Sequence, residues 1–178
     1  MPLESILTSI HGRRVGLTRN GTIVIQKGGG IGDPARQDQL GLDVQVKLTA
    51  AQVQNLFTTP ITLIPSPGVG FAHIVERVAV CKPAGTAFAG VALGEDLTLK
   101  YTNAAGLQVV STIETTGFLD SATNQVRTAG PIGATGATAG DVTPADNASI
   151  VAALLVGDVT GGSPVSFRVW YKTIPTTF

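Results

Sequence analysis

Hydrophobic and polar positions alternate in short runs along residues 41–178, which is the pattern of half-buried β-strands. In the first run, Val44, Val46 and Leu48 alternate with Gln45 and Lys47. Similar runs recur at short spacing and are separated by turns rich in glycine and proline. The pattern predicts an all-β domain over residues 41–178, an antiparallel β-sandwich or jelly-roll-like fold.

Within this domain the individual elements can be placed. Strands are predicted at residues 44–48, 61–64, 71–81, 97–101, 108–113, 125–128, 150–156 and 165–171. Thr49 is predicted to cap a helical turn that carries Val53, Leu56 and Phe57 on one face. Both faces of the strand at 71–81 carry apolar residues, so we expect it to be covered on both sides over part of its length. Residues 130–140, rich in Gly, Ala and Thr, are predicted to form a long loop.

Residues 1–40 follow a different pattern and are predicted to form an N-terminal extended arm. Leu3, Ile6, Leu7 and Ile10 recur at the spacing of one helical face, and Gly12 suits the position after a helix end. A helix of about ten residues is marginal in water on its own. Its apolar stripe therefore packs on the protein's own body or on a partner, or the terminus frays.

The next part of the arm reads as an arginine-rich β-hairpin followed by a glycine-rich linker. Asn20-Gly21 lies between two β-prone runs, which is the strongest short-range signal for a two-residue hairpin loop. That loop would place Leu17 opposite Val24, with Val15 on the same face. A lone two-stranded hairpin is barely stable in water, so this one needs a host sheet.

Composition narrows the classes of function. Only 13% of the 178 residues are charged and the formal net charge is zero, which disfavours nucleic acid as a partner. Residues 1–40 carry five basic and three acidic groups, and residues 41–178 carry seven and nine. The single cysteine excludes an internal disulfide framework. No run has the length of a membrane-spanning helix, and the N-terminus lacks the pattern of a signal peptide.

Candidate chemistry is sparse. The chain has two histidines, which leaves no basis for a multi-histidine metal site. His73 and Cys81 share a predicted strand but lie eight residues apart, well outside contact. Glu95, Asp96 and the loop acids Asp141, Asp146 and Asp158 match no calcium-loop spacing and are assigned to solvated or capping roles. A Gly30-x-Gly32 motif lacks the strand–helix–strand context of a dinucleotide site. No catalytic residue, metal ligand or cofactor site is predicted.

Trp170 is the strongest candidate for a binding residue. It falls on the same strand face as Arg168 and Lys172, where a solvated sheet usually carries polar groups. Tryptophan beside arginine is typical of the anchors of protein interfaces, so these three residues are predicted to line a subunit interface. A covering loop or a register break that buries Trp170 within the subunit is the alternative.

The segment His11-Gly12-Arg13-Arg14-Val15-Gly16-Leu17, the Asn20-Gly21 turn and the closing Val169-Trp170-Tyr171 together resemble the decoration, or cement, proteins of tailed-bacteriophage capsids. The resemblance spans the arm and the β-domain. It implies a homotrimer on the outer capsid surface of the virion, made in the host cytoplasm and bound to the major capsid protein at capsomer junctions. We predict that the arm docks through Leu3, Ile6, Leu7, Ile10, Arg13, Arg14, Val15, Leu17, Arg19 and Val24.

Two other functions remain open from the sequence. A phage tail or fibre component that binds a cell-surface glycan would use exposed aromatic residues in a concave site, for which Trp170 and Tyr101 are the candidates. A small hydrolase would depend on Cys81 or His73. The cement reading, by contrast, predicts a non-enzymatic structural protein without cofactor, nucleic acid or membrane partner.

Overall fold

A computed structural model describes residues 8–10, 13–17, 23–27, 42–91, 94–132 and 144–177. The chain divides into two compact units, residues 1–40 and residues 41–178. The protein is mostly β-structure, all strand pairs are antiparallel, and the one helix among the described residues is short.

The N-terminal unit contains a three-stranded sheet of β1 (Thr8–Ile10), β2 (Arg13–Leu17) and β3 (Ile23–Lys27), in that order. The predicted helix is therefore wrong at its C-terminal end, because residues 8–10 pair with β2. Pairing with a neighbouring strand satisfies backbone groups that a marginal ten-residue helix would hold only weakly. The remaining stripe positions, Leu3, Ile6 and Leu7, lie outside the described residues.

The hairpin between β2 and β3 is present, but its register differs from the prediction. Leu17 pairs with Ile23, and Val24 pairs with Gly16. This pairing is one residue out of register with the two-residue Asn20-Gly21 loop that the sequence predicts. The predicted pairing of Leu17 with Val24 is therefore wrong. Asn20-Gly21 itself lies outside the described residues.

The body, residues 41–178, contains a helix and further strands. Its elements in chain order are β4 (Leu42–Leu48), α1 (Ala50–Gln54), β5 (Ile61–Ile64), β6 (Phe71–Lys82), β7 (Phe88–Ala89), β8 (Leu97–Tyr101), β9 (Gln125–Ala129), β10 (Ile150–Leu154), β11 (Thr160–Gly161) and β12 (Val165–Pro175). They form a four-stranded sheet in the order β4-β12-β6-β9, a three-stranded sheet β5-β10-β8, and the pair β11-β7.

The predicted strand at 108–113 forms only isolated bridges. Gln108 and Ile113 pair with β8, and Val110 pairs with Pro131 just beyond β9. The Ser111 N–H donates to the Gly130 carbonyl oxygen at 2.8 Å. The start of the predicted loop at 130–140 thus continues the β-structure, and residues 133–140 lie outside the described part of the chain.

Helix α1 begins as the sequence predicts. The Thr49 hydroxyl accepts from the Gln52 N–H at 3.3 Å, and the Gln52 side chain accepts from the Thr49 N–H at 2.8 Å. This reciprocal capping box satisfies backbone donors that a helix start leaves unpaired. Val53 and Leu56 are buried, whereas Phe57 is 41% exposed, so its predicted place on the buried face is wrong. The helix ends at Gln54, so Phe57 does not follow the helical repeat that would place it on the same face as Val53.

Strand β6 changes phase in its middle because of a β-bulge. Trp170 of β12 pairs with Arg77, and the next residue, Tyr171, pairs with Val75, so Glu76 is an extra residue. Before the bulge the odd positions His73 and Val75 are buried, and after it the even positions 78, 80 and 82 are buried. The main buried face thus switches parity at the bulge. Before it, Ala72 is buried on the opposite face from His73, so the strand is covered on both sides over that part of its length, as predicted.

Both larger sheets contribute side chains to a single apolar cluster. Strand β10 is buried over its whole length, as its continuous apolar sequence predicts, and lies between β5 and β8. In β12 the alternating residues Val165, Phe167 and Val169 are buried. The fully buried side chains with the largest volume include Phe118, Phe167, Leu48, Leu56, Leu97, Leu99, Leu119 and Ile150.

The core also holds a hydrogen-bonded polar group, the side chain of His73. Its Nε2 lies 2.8 Å from the Pro65 carbonyl oxygen and its Nδ1 lies 3.0 Å from the Thr173 hydroxyl. A carbonyl oxygen only accepts, so Nε2 donates to Pro65, and the Thr173 hydroxyl is the hydrogen-bond partner of Nδ1. The Tyr101 hydroxyl donates to the His73 carbonyl oxygen at 2.6 Å. These bonds tie β6 to β8, to β12 and to the turn after β5.

We predict that Tyr101→Phe lowers the free energy of unfolding by about 0.5–1.5 kcal/mol, because the buried His73 carbonyl oxygen loses its donor. Urea denaturation followed by Trp170 fluorescence measures this. Tyr171→Phe is the matched control, since the Tyr171 hydroxyl bonds to no described residue, and we expect a change within about 0.5 kcal/mol. Equal losses in the two variants would contradict the role assigned to the Tyr101 hydroxyl.

Candidate interaction surface

The outer face of the four-stranded sheet carries a cluster of aromatic and charged side chains. Trp170 on β12 pairs with Asp43 on β4 and with Arg77 on β6, and Arg168 lies two residues earlier on the same face. We call Trp170, Arg77, Arg168 and Asp43 the Trp170 surface. The cluster is thus assembled from three adjacent strands by the register of the sheet.

The contacts within the Trp170 surface are well defined. The guanidinium carbon of Arg77 lies 4.2 Å from the centroid of the Trp170 ring, and that of Arg168 lies 5.0 Å from it. Both distances are within the range of cation–π attraction. Arg168 Nε also donates to Asp43 Oδ2 at 3.0 Å. The ring is half-buried, and the arginines that flank it hold it in place.

The bulge in β6 helps to build this surface. It leaves two successive residues, Glu76 and Arg77, exposed on a strand whose neighbours are mostly buried. Glu76 forms an ion pair of 2.5 Å with Lys172, and Arg77 contacts the Trp170 ring. Bulges re-aim side chains in this way and are frequent beside functional sites. The Lys172–Glu76 pair is about 40% exposed on both sides and contributes little stability by itself.

The structure therefore brings two of the three predicted interface residues together. Arg168 and Trp170 are in contact, while Lys172 pairs with Glu76 on the other side of the bulge. Asp43 and Arg77 were not identified from the sequence, because only the strand register places them beside Trp170. The place of Trp170 on the same strand face as Arg168 and Lys172 was the available signal for the surface as a whole.

The predicted docking positions of the arm lie in the N-terminal unit. Ile10 is in β1, Arg13, Arg14, Val15 and Leu17 are in β2, and Val24 is in β3. Leu3, Ile6, Leu7 and Arg19 lie outside the described residues. The antiparallel pairing of the three strands is what the structure establishes for this unit.

The residues considered for catalysis are separated or already engaged. Cys81 is half-buried and its thiol is free. In the strand register Cys81 lies opposite Ser166 of β12, whereas His73 lies opposite Thr173, seven residues further along β12. Both ring nitrogens of His73 take part in hydrogen bonds. Tyr101, a candidate for sugar stacking, is 3% exposed. Its ring is therefore not available on the surface.

Two of the loop acids tie loops together. Asp158 accepts from the N–H groups of Phe57 and Thr58 and from the Thr58 hydroxyl. Asp146 accepts from the Gly70 N–H at 2.9 Å and from the Thr176 hydroxyl at 2.7 Å. These are the capping roles that the sequence predicted for loop acids. Asp141 lies outside the described residues.

A further group of acids lies where β8 begins. Burial raises the pKa of Asp96, and the neighbouring carboxylates of Glu114 and Glu95 raise it further, while the N–H of Thr115, 3.3 Å away, opposes the shift. The N–H of Thr116 lowers the pKa of the exposed Glu114. Among the described residues, no group of three or more His, Cys, Asp or Glu side chains is arranged to hold a metal ion.

Lys82 is a buried cation that was not predicted from the sequence. It is 1% exposed, and its Nζ donates to the Ser121 carbonyl oxygen at 2.6 Å. Burial lowers the pKa of Lys82, and Asp120 partly offsets this. Its position in phase with Val78 and Val80, at the end of β6, was the signal that could have revealed it.

Within the described parts of the chain, no helix is long and apolar enough to cross a membrane.

No protein-family model matches the chain, and no curated protein matches it. A functional proposal for this chain therefore depends on its own residues, above all on the Trp170 surface.

We predict that Asp96→Asn stabilises the protein at neutral pH. Because the pKa of Asp96 is raised in the folded protein, its protonated carboxyl contributes to the free energy of unfolding. This contribution is complete below the ordinary pKa of 3.8 and is lost as the pH rises through the folded-state pKa. The amide keeps an oxygen for the Thr115 N–H but carries no charge. Thermal unfolding at about pH 7 should favour the variant, and the difference should vanish by about pH 3.

The control for this prediction is Asp96→Ala, which removes the charge together with the acceptor for Thr115. It should be less stable than Asp96→Asn at both pH values, because a backbone donor loses its partner. A gain for Asp96→Asn that did not depend on pH would contradict the assignment.

Proposed function

We propose that the chain is a non-enzymatic virion structural protein, a capsid decoration or cement protein of a tailed bacteriophage. In this proposal the body is a β-sandwich of the jelly-roll type and residues 1–40 are an attachment arm. The protein binds the major capsid protein at capsomer junctions on the outer surface of the head. It acts after synthesis in the host cytoplasm and needs no cofactor, nucleic acid or membrane.

The observation that carries a binding role is the Trp170 surface. Tryptophan and arginine are the residue types most enriched among the energetic anchors of protein interfaces. Here Trp170 is half-buried and two guanidinium groups contact its ring, one of which donates a hydrogen bond to Asp43. Side chains held before binding lose little entropy when a partner docks. This arrangement suits attachment to a protein surface.

The N-terminal unit supports the idea of an arm. Its described sheet consists of strands of three, five and five residues. A unit of 40 residues is at the size where a fold usually needs additional contacts, such as those with a partner, to be stable. We propose that the capsid supplies that cover, with Arg13, Arg14 and the neighbouring positions of β2 and β3 in the contact.

Such a protein would stabilise the shell by binding to one state of the assembly equilibrium. A protein that binds the assembled shell, and not its separated subunits, shifts the assembly equilibrium towards the shell. Many copies act at once, and association of the decoration protein into trimers adds the contacts of several arms at high effective concentration. Arms that become ordered on docking can reach neighbouring capsid subunits at some entropic cost.

A glycan-binding tail or fibre component is less well supported. Trp170 would have to stack on a sugar, but two guanidinium groups already lie over its ring, and Tyr101 is buried. Specific binding of the isolated protein to a glycan array would favour that function over the capsid.

We predict that deletion of residues 1–26 abolishes binding to shells assembled from the major capsid protein of the same phage, because the arm contacts are lost. Co-sedimentation with shells and quantification of bound copies measure this. Circular dichroism should show that the truncated body remains folded. Shells decorated by the truncated protein at wild-type occupancy would refute the role of the arm.

We also predict that Trp170→Ala weakens shell binding about 30-fold, as expected for an interface anchor whose loss costs about 2 kcal/mol. A titration of shells at fixed salt concentration gives the dissociation constant. Leu107→Ala is the control, because Leu107 is a 61% exposed apolar residue in the turn after β8. Similar affinities for both variants would exclude the Trp170 surface from the contact.

A further inference from the structure

Strand β4 lies at one edge of the four-stranded sheet. Its seven residues pair continuously with β12, and no described residue pairs with its other side. Half of its backbone N–H and C=O groups therefore have no partner among the described residues. Natural proteins shield such edges with proline, bulges, short strands or charged side chains. Neither a proline nor a bulge occurs between Leu42 and Leu48, and the charges on this strand are those of the exposed Asp43 and Lys47.

The sequence of β4 is complementary to itself when it is read in the opposite direction. It reads Leu-Asp-Val-Gln-Val-Lys-Leu, with Gln45 in the centre. We propose that β4 pairs with β4 of a second copy of this chain, antiparallel, across a two-fold axis at Gln45. The facing pairs are then Leu42 with Leu48, Asp43 with Lys47, Val44 with Val46, and Gln45 with itself.

Charge supports this register on the outer face. Asp43 and Lys47 are both exposed, and opposite charges that face each other across two strands stabilise the pair. Lys47 forms no ion pair with any described residue. Asp43 bonds to Arg168 through Oδ2 alone, which leaves its Oδ1 for an ammonium group. The two-fold axis creates two Asp43–Lys47 pairs.

The inner face fits as well. Val44 and Val46 are only partly buried, although they pack against the core. Leu42 is 48% exposed. In the proposed register, each of these residues faces an apolar residue of the second copy, so apolar surface left at the edge becomes covered. The two four-stranded sheets join into one of eight strands, with about six to eight new backbone hydrogen bonds.

The contact is isologous, because the same strand serves both copies. It goes beyond the proposed function and does not depend on a capsid. It is also compatible with trimers, since closed symmetry that combines a two-fold and a three-fold axis contains six copies. The solution mass should therefore be an even multiple of the 18.2 kDa chain.

A charge-swap experiment tests the register. Lys47→Glu alone places two carboxylates opposite each other at both ends of the contact, and Asp43→Lys alone places two ammonium groups there. Each full-length variant should associate about ten-fold more weakly than wild type. An equimolar mixture should restore association as a heterodimer, because every facing pair is then opposite in charge. Sedimentation velocity and native mass spectrometry read out both results.

A cysteine experiment tests the axis independently of charge. In a Cys81→Ala background, Gln45→Cys places two sulfhydryl groups at paired positions whose Cα atoms are about 4.5–5.5 Å apart, within disulfide range. It should form a covalent dimer on mild oxidation. Lys47→Cys is the control on the same strand and face, because its two copies lie about 13 Å apart and cannot bridge.

Restored association in the mixture, together with a disulfide at position 45 and none at position 47, supports the proposal. A wild-type protein that remains monomeric or purely trimeric overturns it. So does association that neither charge variant weakens, or a disulfide that forms equally well at both positions. Shell binding is measured separately, so failure of this contact and failure of the capsid proposal are distinguishable.

Discussion

The body depends on the pairing of β12 with its two neighbours. This strand lies between β4 and β6, and its backbone groups are engaged on both sides. On one face its alternating residues Val165, Phe167 and Val169 enter the apolar core. On the other face it presents Arg168 and Trp170. The same alternation of side chains therefore supplies both the main packing surface and the proposed contact surface.

The bulge at Glu76 allows β6 to contribute both to the core and to the Trp170 surface. It changes the parity of β6, so that His73 and Val75 before it and Val78 and Lys82 after it all reach the interior. The extra residue leaves Glu76 and Arg77 on the outside, where they meet Lys172 and the Trp170 ring. A regular strand would leave one residue fewer on this face. The geometry of the Trp170 surface is in this sense a consequence of one inserted residue.

The polar groups of the described core are largely structural in role. His73 uses both ring nitrogens in hydrogen bonds, Tyr101 donates to a backbone carbonyl, and Lys82 donates to Ser121. Asp146 and Asp158 hold loops by accepting backbone N–H groups. The distinctive features lie instead at surfaces and edges, namely the Trp170 surface and the self-complementary β4. Both are open to direct measurement.

Local pattern alone determined much of this protein. Period-two alternation predicted β4, β8 and β12, the continuous apolar run predicted β10, and Thr49 marked the start of α1, because each depends on residues close in sequence. The side-chain cluster around Trp170 could not be predicted, since Arg77 and Asp43 reach it only through strand register. The bulge, the hairpin register at Leu17 and the strand at residues 8–10 also escaped prediction. In each case pairing with another strand, which no local pattern specifies, decided the conformation.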